Sequence, residues 1–246
     1  MSKIFRKTFS VNAMCVDSHG RAKPSFLLFM AQEAASRHCD ALALSWEKMQ
    51  EQELFWAIVR HKVQVSRLPM EGETVTVETW PMPTTRSAFP RATVAYDAQG
   101  RELFRTAALW ILMNTRTRAM VLPEKSGVAL EGTVQGNELA LPTSILPKVL
   151  DNTSTRTVRY SELDRNKHMN NTRYLDWVDD LLPAAFHQDH PVREFTVCYL
   201  AEALENQQIS LGWQLSDGPC LQVDGRRWRT DVPGEYDRVF SVQMTF

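Results

Sequence analysis

Leu163-Asp164-Arg165-Asn166-Lys167-His168-Met169-Asn170-Asn171-Thr172-Arg173-Tyr174 is the stretch on which the reading of this 246-residue chain turns. It sets an acid, an amide and an imidazole at every second position: Asp164, Asn166 and His168. A helix signal follows at once. Asn170, Asn171 or Thr172 can cap it, because a short side-chain oxygen satisfies an N–H that a helix start leaves unbonded. Apolar residues then recur with helical period at Tyr174, Leu175, Trp177, Val178, Leu181 and Leu182, and Pro183 ends the run, so a helix is expected over 171–182. Polar groups in an extended run, aimed at a helix N-terminus, can hold a carbonyl and a water together. The amides of the first turn and the helix dipole favour negative charge there.

Working outward, residues 155–160 read as a strand before the motif, and 194–200, 207–215, 220–224 and 236–246 as strands after it. The first half has the same order. Residues 5–16 read as a strand and 25–43 as a helix whose apolar face holds Phe26, Leu27, Phe29, Met30 and Ala34. A short helical piece over 46–53 comes next, then strands over 54–68, 74–80, 91–96 and 103–113. Asp97-Ala98-Gln99-Gly100 makes a hairpin between the last two. Residues 123–152 carry Gly127, Gly132, Gly136, Pro142 and Pro147 without a periodic pattern, and read as a linker. The expected organisation is therefore 1–122, a linker over 123–152, and 153–246.

The two halves align as a repeat. An offset of 147 residues (164 − 17) lays Asp17 on Asp164, Val11 on Val158 and Leu28 on Leu175. After the helix the offset falls to 134 (206 − 72), which lays Val63 on Val197 and Gly72 on Asn206. At the motif the halves differ: Asn166 falls opposite His19 and His168 opposite Arg21. A duplicated fold with one active copy follows. A helix laid on one face of a curved antiparallel sheet, twice over, is an α+β layer architecture. Two such sheets can join edge to edge, which removes an exposed edge from each.

A formal net charge of −1 excludes any global pull toward nucleic acid or a membrane surface. No apolar run approaches the roughly 18 residues of a membrane span. Ser2-Lys3-Ile4-Phe5-Arg6 leads straight into strand-like sequence, so no targeting peptide is expected. Cys15, Cys39, Cys198 and Cys220 are scattered with no Cys-x-x-Cys pair, which fits reduced thiols in the cytoplasm. There is no Gly-x-Ser-x-Gly elbow and no phosphate loop, and the six histidines show no metal-ligand spacing.

This order and these residues resemble the acyl-acyl-carrier-protein thioesterases of the double hotdog fold. That family's signature, Asp-x-Asn-x-His-x-Asn-Asn entering the second hotdog helix, stands here as Asp164 to Asn171, followed by Tyr174. Its Tyr-x-x-Glu after the next strand stands as Tyr199-Leu200-Ala201-Glu202. Trp56, the stretch 75–80 and the stretch 105–116 match in the first half. The family often has a Cys directly after the Glu. Here Ala203 occupies that position, so no cysteine nucleophile is available there.

The resemblance implies a tandem double hotdog, two antiparallel sheets joined edge to edge and each wrapped around a long helix. It implies a cytoplasmic thioesterase that hydrolyses fatty acyl-acyl-carrier-protein to free fatty acid and holo-carrier protein, with no cofactor and no metal. The partner would be acyl carrier protein with its acyl-phosphopantetheine, and the enzyme a monomer or homodimer. An acyl-CoA thioesterase, a non-catalytic acyl-binding or regulatory protein, and a hydratase are the rival readings.

A thioester carbonyl is electrophilic, and its hydrolysis needs a polarised carbonyl, a positioned water and a base. Glu202 suits the base or the nucleophile, Asn166 a water or carbonyl ligand, and His168, oriented by Asp164, a proton carrier. The spacing leaves open which of Glu202, Asp164 and His168 is the base. Asn170 and Asn171 are expected as caps whose amides bind an oxyanion. Each residue taken singly has an ordinary structural role as the alternative; the set together points to catalysis. In the first half Met30, Trp46, Phe55 and Trp56 are candidates for an acyl tunnel, against the plainer role of core filling. Arg159, Arg165, Lys167 and Arg173 form a basic rim suited to an acidic carrier protein. Arg226, Arg227 and Arg229 form a further basic set.

Overall fold

Burial alternates along residues 5–10, whereas residues 89–95 are buried without interruption. The computed structural model describes residues 4–134, 136, 139–232 and 234–246. Within the expected linker, Gln135, Asn137 and Glu138 lie outside the described residues, as do Ser2 and Lys3 of the N-terminal stretch. The chain falls into two units, parted between Pro142 and Thr143.

The first unit contains β1 (Phe5–Ser10), α1 (Pro24–Ala41), α2 (Trp46–Glu51), β2 (Leu54–Val65), β3 (Thr74–Pro81), β4 (Phe89–Tyr96), β5 (Glu102–Asn114), β6 (Met120–Val121) and α3 (Pro123–Ser126). Its antiparallel sheet runs β1-β3-β4-β5-β2, with β6 on β5. α1 lies against β1 and β3. Pro24 opens it, in the position where a missing N–H costs nothing. Leu27, Leu28 and Met30 are fully buried, each worth about 1.5–3 kcal/mol of transfer free energy. The expected first strand is cut at Ser10, because Asn12 Oδ1 takes the N–H of Met14 at 3.0 Å and starts a one-turn 3-10 helix, Ala13–Cys15.

The second unit contains β7 (Asn152–Thr157), α4 (Arg173–Asp179), α5 (Ala184–Asp189), β8 (Glu194–Tyr199), β9 (Gln208–Ser216), β10 (Cys220–Trp228) and β11 (Tyr236–Thr245). Its sheet runs β7-β9-β10-β11-β8, again antiparallel. The long helix expected here is corrected: α4 has 7 residues, and the chain leaves helical geometry after Asp180. Pro183 then opens α5, an element with too few apolar repeats to be expected. Short α4 still buries Tyr174, Leu175, Trp177 and Val178. β10 extends four residues past the expected Asp224, to Trp228, carried by a bulge at Gly225/Arg226.

The expected linker divides between the units. In the first, α3 ends at left-handed Gly127, Val128 is buried, and Thr133 N–H donates to Pro81 O. In the second, the carbonyls of Thr143, Ile145 and Lys148 accept from Cys198, Arg238 and Arg226.

Hydrogen bonds repeat between the units at the offsets read from the sequence. Asp17 N–H donates to Arg21 O and Asp164 N–H to His168 O, both at 2.8 Å. Ala22 N–H donates to Pro69 O and Met169 N–H to Ala203 O. Gly72 N–H on Val11 O is matched by Asn206 N–H on Val158 O. Ser66 and Arg67 both donate to Leu103 O, and Leu200 and Ala201, 134 positions on, both donate to Val239 O, whose own offset from Leu103 is 136 (239 − 103). The order of elements and the matched bonds are those of a tandem pair of hotdogs.

Candidate active site

Asp164 organises the motif through the main chain. Its Oδ1 accepts the N–H of Asn166 at 2.8 Å and of His168 at 3.2 Å, and its Oδ2 accepts Asn166 Nδ2 at 3.4 Å. Lys167 closes this tight turn at φ 65, a left-handed conformation that its counterpart Gly20 (φ 72) takes without a Cβ penalty. The turn returns the chain so that His168 bridges Leu204, and Met169 N–H donates to Ala203 O at 2.8 Å.

That bridge brings the second strand's acid to the imidazole. Glu202 leaves the end of β8 after the bulge at Leu200 and Ala201, and its Oε2 lies 3.4 Å from His168 Nε2. The side chains are 21% exposed for His168 and 46% for Glu202, so water reaches both. The loop after Glu202 is held by Arg227, which donates to Glu202 O at 3.0 Å, to Gln207 Oε1 at 2.9 Å and to Asp237 at 3.1 Å. Buried Ala203 stands where a cysteine would follow the acid.

The helix entrance is tied just as closely. Glu162 accepts Arg159 N–H at 2.8 Å and Trp177 Nε1 at 2.6 Å, while its carbonyl takes Asn170 N–H. Asn170 Oδ1 accepts from Thr172 N–H and Oγ1. Thr172 takes the N-cap position, but its side chain accepts no capping bond from the helix, and the acceptor at this end is Asn170. The Asn170 amide is thereby spent inside the turn. Of the two amides expected for an oxyanion, only the N–H of Asn171 has no acceptor among the described residues. Tyr199 Oη donates to Asn171 O at 2.9 Å and packs edge-on to Tyr174, which also meets Phe240. Burial pushes both phenols up, so they remain protonated.

The structure brings Asp164, Asn166, His168 and Glu202 into one neighbourhood. Sequence reasoning did not single out Glu162 and read Arg227 only as part of a basic set; both hold that neighbourhood together. Charge opposite a backbone was the only available signal, and it is too common to single them out. The basic rim is mixed. Arg159, Arg165 and Lys167 are exposed, whereas exposed Arg173 pairs with Asp176 at 3.0 Å. The further set, Arg226, Arg227 and Arg229, is engaged with Asp224, Asp237 and Asp231. Met30, Trp46, Phe55 and Trp56 belong to the first unit. Met30 is buried in α1, Trp46 is 41% exposed, Arg118 covers Phe55, and Trp56 meets Phe89 edge-on at 5.0 Å. Among the described residues no three His, Cys, Asp or Glu side chains gather as metal ligands, and no helix is long and apolar enough to cross a membrane.

The model of the acyl-ACP thioesterase N-terminal domain matches residues 2–125, and that of the C-terminal domain residues 148–222. A palmitoyl-acyl carrier protein thioesterase of Gossypium hirsutum, described as chloroplastic, is 27% identical over 214 residues, 81% of this chain and 52% of its own length. A dodecanoyl-[acyl-carrier-protein] hydrolase of Umbellularia californica is 28% identical over 221 residues, 84% and 58% of the two. The chain thus spans little more than half the length of these curated relatives. In fold it superposes on an acyl-ACP thioesterase structure from Bacteroides thetaiotaomicron with a TM-score of 0.89, 23% identity and full coverage of both chains. For a 12:0-ACP thioesterase from Umbellularia californica the TM-score is 0.83, with 24% identity over 100% of this chain and 97% of that one. With both domain models matched in order along most of its length, the chain belongs to the acyl-ACP thioesterase family.

Proposed function

We propose that the chain hydrolyses fatty acyl-acyl-carrier-protein thioesters, and that the His168–Glu202 pair is its catalytic centre. The observation that carries this is the 3.4 Å contact between His168 Nε2 and Glu202 Oε2, both open to water and both placed by main-chain bonds. A carboxylate beside an imidazole can take a proton from water and pass one on. Water adds to the thioester carbonyl as its proton moves to the pair. The C–S bond then breaks, and the departing thiolate receives that proton, giving acid and thiol.

Asn166 sits beside the pair on the Asp164 turn, where its amide can position the water. The Asn171 N–H supplies a donor for the carbonyl oxygen. Exposed Arg165 and Lys167 flank Asn166 in the motif and suit an acidic carrier protein with a phosphopantetheine arm.

The test is thiol release from matched acyl-carrier-protein and acyl-CoA thioesters. Glu202→Gln and His168→Ala should each lower turnover by about 100-fold or more while far-UV circular dichroism is unchanged. Turnover on the carrier-protein donor should exceed that on CoA at one chain length. Wild-type-like rates in both variants would remove the pair from the mechanism. Faster CoA turnover would reassign the donor.

A further inference from the structure

The amide left open at the start of α4 has its own holder. Asn171 N–H has no acceptor among the described residues, while the amides beside it are spent: Asn170 N–H on Glu162 O, Thr172 N–H on Asn170 Oδ1 at 3.0 Å, and Arg173 N–H on Asn170 O at 2.9 Å. These bonds fix the backbone on either side. How Asn171 itself is turned depends on its carbonyl. Among the described residues no main-chain N–H bonds to that carbonyl, and its donor is the Tyr199 hydroxyl at 2.9 Å. Burial keeps the phenol protonated, so it is always able to donate. Tyr199 ends β8, three residues before Glu202. One side chain thus ties the strand that delivers the acid to the residue that offers the amide.

The first unit is an internal control. Phe26 N–H on Lys23 O matches Arg173 N–H on Asn170 O, both at 2.9 Å, so Pro24 stands where the second unit has Asn171 (171 − 147). The bonds of Ser66 and Arg67 on Leu103 O match those of Leu200 and Ala201 on Val239 O, so Val65 stands where it has Tyr199 (199 − 134). Each pairs in register with a phenylalanine, Val65 with Phe104 and Tyr199 with Phe240. An apolar side chain therefore meets the needs of the fold here. The same offset puts buried Leu68 at the place of Glu202. The copy that lacks the acid thus also lacks the amide and the hydroxyl. A hydroxyl taken out of water is costly unless it is bonded, so its presence in the second unit alone ties it to the site.

We propose that Tyr199 is a positioning residue for thioester hydrolysis: its hydroxyl holds the Asn171 carbonyl and so aims the Asn171 N–H at the oxyanion that forms when water adds. The proposal rests on the hydrolytic reading. A donor aimed at charge that develops in the transition state acts on the chemical step, and misaiming it slows that step without loosening the bound substrate.

Steady-state thiol release from an acyl-carrier-protein thioester tests it, with wild type, Tyr199→Phe, Asn171→Pro and the double variant. Tyr199→Phe keeps the ring and should lower kcat about tenfold, with KM within about twofold. The pH profile of kcat/KM should keep its shape, because the His168–Glu202 pair is intact. Asn171→Pro deletes the amide, as Pro24 does in the first unit, and should lower kcat about 100-fold. In that background Tyr199→Phe should cost nothing more, since no amide is left to aim. A Tyr199→Phe kcat within about twofold of wild type, or a loss that multiplies with that of Asn171→Pro, would overturn the proposal while leaving the hydrolytic reading to Glu202→Gln. Should Asn171→Pro fail to fold by circular dichroism, the kcat-against-KM split of Tyr199→Phe decides alone. No thiol release by the wild type from any thioester would overturn the hydrolytic reading and this proposal with it.

Discussion

At the scale of single residues, the motif works because Asp164 spends its carboxylate on the backbone. Two N–H groups share its Oδ1, and the resulting turn aims His168 at Glu202. Asp164→Asn keeps an acceptor and should unfold in urea close to wild type, whereas Asp164→Ala should cost about 1–2 kcal/mol. If thiol release falls equally in both, the charge matters to chemistry beyond the turn. Lys167 holds φ 65 where the first unit has Gly20, so Lys167→Gly should raise stability by about 1 kcal/mol in the same urea titration. The acid, amide and imidazole could be read from the sequence because they lie within five consecutive residues. Glu162 could not, since its partner Trp177 is fifteen positions away and only the fold of α4 brings the indole to it.

At the scale of elements, the two units differ most in their helices and in what those helices cover. α1 takes its length from a long run of helix formers after Pro24, while α4 is short and held by Trp177, Tyr174 and the Glu162 carboxylate. β10 bends at Gly225, where a Cβ would run into the Phe240 ring. Gly225→Ala should therefore destabilise the protein by roughly 1–3 kcal/mol, read from the thermal midpoint. In β2, burial lowers His61 to about 3, and in α1 burial, aided by Arg91, lowers His38 to about 4. Both are neutral when folded and protonate near 6.5 when unfolded. Their contribution to stability is thus complete above pH 6.5 and is lost as pH falls from there toward 4 and then 3. The urea midpoint should drop across that window, and His61→Phe should flatten the drop by an amount on the order of a few kcal/mol. The helix and strand order was legible because 3.6- and 2-residue periods are local. The bulge at Gly225 and the end of α4 were not, because they answer to contacts across the sheet.

At the scale of the whole molecule, a net charge of −1 leaves no global field to draw in an acidic partner, so any steering is local. If exposed Arg165 and Lys167 supply it, Arg165→Glu/Lys167→Glu should raise KM for acyl-carrier-protein several-fold, leave kcat within about twofold, and weaken the salt dependence of kcat/KM. An unchanged KM would move the carrier-protein surface elsewhere. The sequence by itself determined that the chain carries two copies of one α+β pattern and that only the second holds the acid, amide and imidazole. Periodicity, turn residues and motif spacing are all local properties, written in neighbouring positions. Only the tertiary structure decided that Glu202 meets His168, that Asn170 spends its own amide, and that Arg91 and His61 stand in one buried row without a carboxylate. The first and the last of those relations join residues tens of positions apart, and they exist only once strand register and the β-bulges have been set.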